Sequence, residues 1–117
     1  MRLSPSSRLW LSAAAALLVG ILTGAVVPHA VQGAQETTAT IDNFTFAPSR
    51  LIVKTGTTVT WRNEDDIPHT VAASNRLFKS KALDTDDSFS FTFIAPGTYE
   101  YFCSLHPRMT GTVVVEP

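Results

Sequence analysis

Four side chains that coordinate soft metal ions stand out in the C-terminal two thirds of this 117-residue sequence. Cys103, His106 and Met109 fall within the stretch "YFCSLHPRMTG", and His69 lies upstream. Beyond residue 34 they are the only Cys, His and Met residues in the chain. One thiolate and two imidazoles with a long axial thioether are typical of copper sites that change oxidation state. The residue types therefore predict a mononuclear copper site.

The spacing of these residues favours a single centre. Cys103 ends a predicted strand, two residues turn the chain to His106, and two more bring Met109 back before a strand predicted to start at Gly111. His69 would reach the same centre from a loop at that end of the fold. Each residue alone has a structural alternative, as a hydrogen-bonded histidine, an inert buried thiol or a core methionine. Their joint occurrence favours metal binding.

The N-terminal segment predicts export from the cytoplasm. Arg2 and Arg8 precede an apolar stretch over 9–27, and small residues follow near Gly33. This layout is typical of a secretory signal peptide at 1–33, with cleavage after Gly33 or Ala34. The apolar stretch of about 19 residues is also long enough to span a bilayer as an uncleaved anchor. We expect a periplasmic or otherwise extracytoplasmic protein that is attached to a membrane only if this segment stays uncleaved.

The single cysteine is unusual for an exported chain. Cys103 has no partner for an intrachain disulfide, so it is a free thiol, a disulfide to another chain, or a metal ligand. The last of these would also stabilise a small domain whose core is marginal. From residue 34 onward, seven Lys or Arg stand against ten Asp or Glu, a net charge of about −3. This balance argues against nucleic-acid binding.

The rest of the chain has the pattern of short β-strands. Residues 34–39 are small and polar and predict a short tether, and residues 75–87 fit a strand, a loop or a helical turn equally well. Alternating or β-branched segments separated by Pro, Gly and Asn turns predict an antiparallel sandwich or barrel. These segments are 40–46, 51–53, 57–61, 70–73, 88–93, 98–102 and 111–116. Trp61 and the Phe89, Phe91 and Phe93 stripe are predicted to be core residues.

Two stretches carry a resemblance to a known family. "TFAPSRLIVKTGTTVTWRNEDDIPHTVAA" followed by "APGTYEYFCSLHPRMTGTVVV" resembles the cupredoxins of the plastocyanin and amicyanin group, and the short Cys-x-x-His-x-x-Met loop is most similar to amicyanin. The resemblance implies an all-β Greek-key β-sandwich of about eight strands over 40–117. It also implies one type 1 copper ion and an exported monomer that shuttles electrons between redox partner proteins.

The resemblance also implies the role of each metal ligand. His69 is the upstream imidazole, Cys103 the thiolate, His106 the second imidazole and Met109 the axial thioether. The chain departs from the family at Thr70, where members commonly have an asparagine that ties the ligand loops together, although a hydroxyl can also bridge to nearby backbone. It departs from amicyanin at Arg108, which stands where amicyanin has a bulky apolar residue.

Electrons are expected to pass through His106 inside an apolar patch. The predicted members of this patch are Leu105, Pro107, Pro68 and Ile67, with Arg108 beside it as a charge that selects partners. The acidic run at 64–66 either steers a basic partner or is a solvated loop.

Two other functions use the same residues. A periplasmic copper carrier or buffer is the main alternative. A zinc enzyme would need an open coordination position and a nearby general acid or base. Because the axial methionine fills that position, no enzymatic activity is expected.

Overall fold

The computed structural model describes residues 35–117, and the predicted signal peptide at 1–33 lies outside them. The described part forms eight strands joined by turns. They are β1 (Glu36–Asp42), β2 (Thr45–Ala47), β3 (Arg50–Lys54), β4 (Thr57–Asn63), β5 (Ala72–Ala73), β6 (Ser88–Phe93), β7 (Gly97–Cys103) and β8 (His106–Glu116). Within residues 35–117 the structure contains no helix that is long and apolar enough to cross a membrane.

The strands form two four-stranded sheets, in the orders β2-β1-β4-β6 and β3-β8-β7-β5. The prediction of an all-β sandwich of about eight strands is confirmed. Alternation along each strand directs one set of side chains between the sheets, and Trp61 is fully buried there. Phe89, Phe91 and Phe93 lie on the same face of β6 and pack on this core, as predicted.

Two strand pairs are parallel, so the antiparallel arrangement predicted from the sequence pattern does not hold for them. β1 pairs with β4, and β3 pairs with β8, in parallel. The reason is that β3 belongs to the second sheet, so the chain leaves the first sheet after β2 and returns to it as β4. β4 thus enters beside β1 in the same direction. As a result β1 and β4 end side by side, where Ile41 pairs with Asn63.

The start of the domain differs from the prediction in two ways. The tether predicted at 34–39 is wrong from Glu36 onward, because β1 begins there and Glu36 pairs with Thr58 of β4. The single strand predicted over 40–46 is divided in two. Asn43 and Phe44 have positive φ angles of 52° and 59°, which turn the chain between β1 and β2.

The segment that the sequence left open, 75–87, has no long strand or helix. It bridges to the core through single residue pairs, with Ala72 opposite Lys79 and His69 opposite Leu83. Two backbone hydrogen bonds join His69 and Leu83, at 3.1 and 2.7 Å. Leu83 and Phe78 are buried. This segment therefore fixes the backbone at His69.

Candidate metal centre

Three of the predicted ligands meet at one end of the sandwich. One coordinating atom from each of His69, Cys103 and His106 lies within 4.8 Å of the other two. The Sγ atom of Cys103 is 3.8 Å from Nδ1 of His69 and 3.7 Å from Nδ1 of His106. His69 and Cys103 are completely buried, whereas His106 is partly exposed. The sequence prediction that a distant histidine joins the C-terminal loop agrees with this geometry.

The C-terminal ligand loop is a very tight connection. Cys103 is the last residue of β7 and pairs with His106, the first residue of β8, so only Ser104 and Leu105 lie between the strands. β8 thus begins five residues before the predicted start at Gly111. Met109 lies on β8 rather than in a loop, is 6% exposed, and lines the same surface concavity as His106. The alternation of β8 turns it inward.

The thiol of Cys103 is stabilised as a thiolate. Burial disfavours the charged form, but hydrogen bonds to Sγ, first the one from the backbone N–H of Thr70 at 3.3 Å, outweigh that effect. Together they lower the pKa of Cys103 from 9.0 to about 6. The deprotonated sulfur is the form that binds metal.

Thr70 joins the two segments that carry the ligands. Its Oγ1 accepts a hydrogen bond from the backbone N–H of Ser104 at 2.7 Å and lies 2.7 Å from the Ser104 hydroxyl. Thr70 is buried and Ser104 is exposed, so these contacts are partly shielded from water. The shorter hydroxyl therefore supplies the link for which the resemblance implied an asparagine.

Asp65 is a site residue whose role the sequence did not predict. The acidic run at 64–66 was expected to be solvated or to steer partners, but Asp65 is 8% exposed and its Oδ2 lies 2.9 Å from Nε2 of His69. This hydrogen bond, followed by the one from the backbone of Phe44, lowers the pKa of Asp65. Fully buried Asn63 shapes the loop by accepting the Asp65 N–H and donating to two carbonyl groups.

Phe44 is a second residue that sequence reasoning missed. Its ring meets the ring of His106 edge-on at 5.0 Å between centroids and that of His69 at 5.6 Å. It is 50% exposed, so it covers the imidazoles on the surface side. A phenylalanine in a strand pattern signals core packing, but the positive φ angles of Asn43 and Phe44 turn the chain here.

A shallow apolar concavity surrounds the exposed edge of His106. Its lining consists of Phe44, Leu105, His106, Pro107, Arg108 and Met109. The predicted patch residues Leu105 and Pro107 belong to it, with Arg108 at its border. The predicted members Ile67 and Pro68 are not among the residues that line it, whereas Phe44, which was not predicted, is.

The donor set fits copper. A thiolate and a thioether are soft ligands that suit Cu(I), and two imidazoles suit both oxidation states of copper. The three grouped donors include no carboxylate, which hard cations such as Mg²⁺ and Ca²⁺ prefer.

Comparisons with known proteins agree with a copper site. The model of the cupredoxin-like domain matches residues 13–115. Amicyanin-alpha of Methylorubrum extorquens is 34% identical over 116 residues, which cover 91% of this chain and 98% of that protein.

Two solved structures are similar to this chain in both fold and sequence. The first is a purple cupredoxin from Nitrosopumilus maritimus, with a TM-score of 0.66, 35% identity, and coverage of 68% of this chain and 99% of that one. The second is a Cu(I) form of a methionine-to-alanine variant of amicyanin, with a TM-score of 0.64, 35% identity, and coverage of 71% and 82%. The chain with the Cys-x-x-His-x-x-Met loop, the buried thiolate and the two-sheet sandwich therefore belongs to the cupredoxin family.

Proposed function

We propose that this chain is an exported carrier of single electrons, in which His69, Cys103, His106 and Met109 would hold one copper ion. The observation that carries the proposal is the position of the Cys103 sulfur, 3.8 and 3.7 Å from the two imidazole nitrogens. The cofactor is one type 1 copper ion, which supplies a one-electron change between Cu(I) and Cu(II).

The protein residues keep the same donors in place for both oxidation states. Cys103 and His69 are buried and held by hydrogen bonds, so they have little freedom to move when the charge changes. Met109 is nearly covered, which limits access of water and substrates. A closed donor set that moves little suits electron transfer, and the chain is an electron carrier rather than an enzyme.

The route for the electron is the exposed edge of His106. This edge lies in the apolar concavity, where a redox partner protein can exclude water and come close to the ring. Arg108 is exposed at the border of that surface and adds a positive charge. An acidic region on the partner complements it.

Replacing Arg108 tests this docking surface. Arg108→Ala is expected to flatten the dependence of the electron-transfer rate on salt concentration, measured by stopped flow with a redox partner protein, because a rim charge acts on the association rate. Arg50→Ala, which removes another exposed positive charge, from β3, is the matched control. An unchanged salt dependence in Arg108→Ala contradicts the role of Arg108 in docking.

Export is supported by the pattern of residues 1–33. The alternative, a copper carrier or buffer, requires a site that releases its metal to another protein. The burial of His69 and Cys103 disfavours such release. Competition with a copper chelator separates the two functions, since a carrier loses copper rapidly and the electron shuttle retains it.

A visible absorption spectrum of the copper-reconstituted chain tests the proposal. We expect an intense blue colour that bleaches with ascorbate, because a type 1 site owes its colour to the bond between copper and a thiolate. Cys103→Ser should remove the colour, whereas Ser104→Ala, next to it in the chain, should keep it. A wild-type chain that binds Cu(II) without becoming blue contradicts the proposed site.

A further inference from the structure

One carboxylate oxygen contacts both a metal ligand and the docking surface. Oδ2 of Asp65 lies 2.9 Å from Nε2 of His69 and also accepts the backbone N–H of Phe44 at 3.1 Å. The parallel pairing of β1 with β4 makes this possible. It places the turn after β1 next to the loop after β4, although Phe44 and Asp65 are 21 residues apart.

The first of these contacts sets the tautomer of His69. An ionised carboxylate can only accept hydrogen bonds, so Nε2 of His69 carries the proton and donates it to Asp65. Nδ1 is then left with its lone pair, and Nδ1 is the atom that lies 3.8 Å from the Cys103 sulfur. Asp65 thereby keeps the imidazole in the form and orientation that a metal needs.

The second contact fixes the turn that carries Phe44. A bulky residue at a φ of 59° is unfavourable unless the surroundings hold it there. The hydrogen bond from its N–H to the nearly buried carboxylate of Asp65 stabilises this conformation. In this conformation the Phe44 ring stands edge-on to both His69 and His106.

We propose that Asp65 is a positioning residue that couples the docking surface to the metal ligand His69 through this shared oxygen. A partner that presses on Phe44 shifts the hydrogen bond to Asp65, and this shift changes the hydrogen bond that polarises His69. The inference rests on the proposed function, because it assigns an electron-transfer role to a contact seen between protein groups.

Asp65 also has contacts that are only structural. Its Oδ1 accepts the N–H of Asp66 at 3.0 Å, and its carbonyl accepts the hydroxyl of Thr85 at 2.7 Å.

The test therefore measures the two groups that contact Oδ2, His69 and the Phe44 amide. The variants are Asp65→Ala, which removes the oxygen, and Asp65→Asn, which keeps an oxygen but removes the charge. Asp66→Asn, at an exposed neighbouring carboxylate, controls for charge.

The first measurement uses the metal-free chain. In Asp65→Ala, nitrogen-15 NMR of the imidazoles should show His69 as a mixture of tautomers instead of one. The amide of Phe44 should exchange with solvent at least tenfold faster than in wild type. Asp65→Asn and Asp66→Asn should retain the wild-type tautomer and exchange rate. A wild-type tautomer together with a wild-type Phe44 amide in Asp65→Ala overturns the proposal.

The second measurement uses the copper-loaded chain. Asp65→Ala should weaken copper binding about 10- to 100-fold, the usual cost of losing a partner of a ligating histidine. Asp65→Asn should raise the reduction potential more than Asp66→Asn does, because a nearby negative charge favours Cu(II) over Cu(I). Equal shifts in the two Asn variants overturn the coupling. If the wild-type chain binds no copper, the proposed function fails, while the metal-free measurement still decides the role of Asp65.

Discussion

Single residues hold the ligand-bearing end of this sandwich together. Among them, Thr70 makes a hydrogen bond whose contribution to stability can be measured by one substitution. Its hydroxyl is the acceptor for the N–H of Ser104, so the segments that carry His69 and Cys103 are joined by a partly buried hydrogen bond. The side chain of Thr70 also approaches the Cys103 sulfur at 3.8 Å.

Thr70→Val keeps the shape of this side chain but leaves the N–H of Ser104 without its acceptor. The free energy of unfolding of the metal-free chain should fall by about 0.5–1.5 kcal/mol, the usual net contribution of one hydrogen bond. Urea denaturation measures it. Thr110→Val, on the exposed side of β8, should change it by less than about 0.5 kcal/mol. Equal stabilities of the two variants would show that the Thr70 link is unimportant.

The axial role of Met109 has its own test. Met109→Leu keeps an apolar side chain of similar size but removes the sulfur, so the copper-loaded chain should stay blue. Its reduction potential should rise, because loss of the weak thioether ligand destabilises Cu(II) more than Cu(I). Voltammetry and the visible spectrum measure both effects. Complete loss of colour would contradict the axial assignment.

The residues of the site were predictable where their chemical type is rare in the chain. Cys103, His106 and Met109 fall within seven consecutive residues, and histidine is scarce enough to single out His69. Phe44 and Asp65 could not be found in this way, because phenylalanine and aspartate are frequent and have many uses. Their roles depend on the turn after β1, which joins groups far apart in sequence.

Among the elements, β8 connects the metal site to the core. It is a central strand between β3 and β7, and its residue Gly111 faces Tyr101 on β7. A Cβ atom at Gly111 would overlap the ring and hydroxyl of Tyr101. Tyr101 cannot move away easily, because it packs edge-on against Phe46 at 4.7 Å and Trp61 at 5.2 Å.

Gly111→Ala should therefore lower the free energy of unfolding by about 1–3 kcal/mol through overpacking. Thermal or urea denaturation measures the loss, and Thr110→Ala at the adjacent exposed position is the control. In a Tyr101→Phe background, Gly111→Ala should lower the free energy of unfolding by less, because the overlapping hydroxyl oxygen of Tyr101 is gone. A full cost in that background would show that the hydroxyl is not the obstacle.

The order of the elements was only partly predictable. Alternation in the sequence located most strands because one face of each is buried, as in β6 with its three phenylalanines. Alternation does not show which strands are neighbours or in which direction they run. The parallel pairs β1–β4 and β3–β8 join residues far apart in the chain and left no local signal.

For the molecule as a whole, the thiolate of Cys103 links folding to pH. Its pKa in the folded, metal-free chain is about 6, below the ordinary 9.0. A lowered pKa of an acidic group stabilises the folded state at high pH. This stabilisation is complete above about pH 9, declines as pH falls toward 6, and is absent below it.

Because of the Cys103 thiolate, the metal-free chain should therefore unfold at lower urea concentrations at pH 5.5 than at pH 9. Cys103→Ser should lose that part of the pH dependence, whereas Ser104→Ala should retain it. Urea midpoints at a series of pH values measure the effect. The same pH dependence in wild type and Cys103→Ser would contradict the lowered pKa.

β8 starts at His106 and runs through the middle of its sheet, so the backbone of His106 does not belong to a flexible loop that could move independently. Strands in the middle of a sheet open only when most of the domain opens with them. Moving the backbone of His106 away from a bound copper ion would thus require this central strand to open. A core substitution far from His106 that slows global unfolding should then also lengthen the residence time of copper.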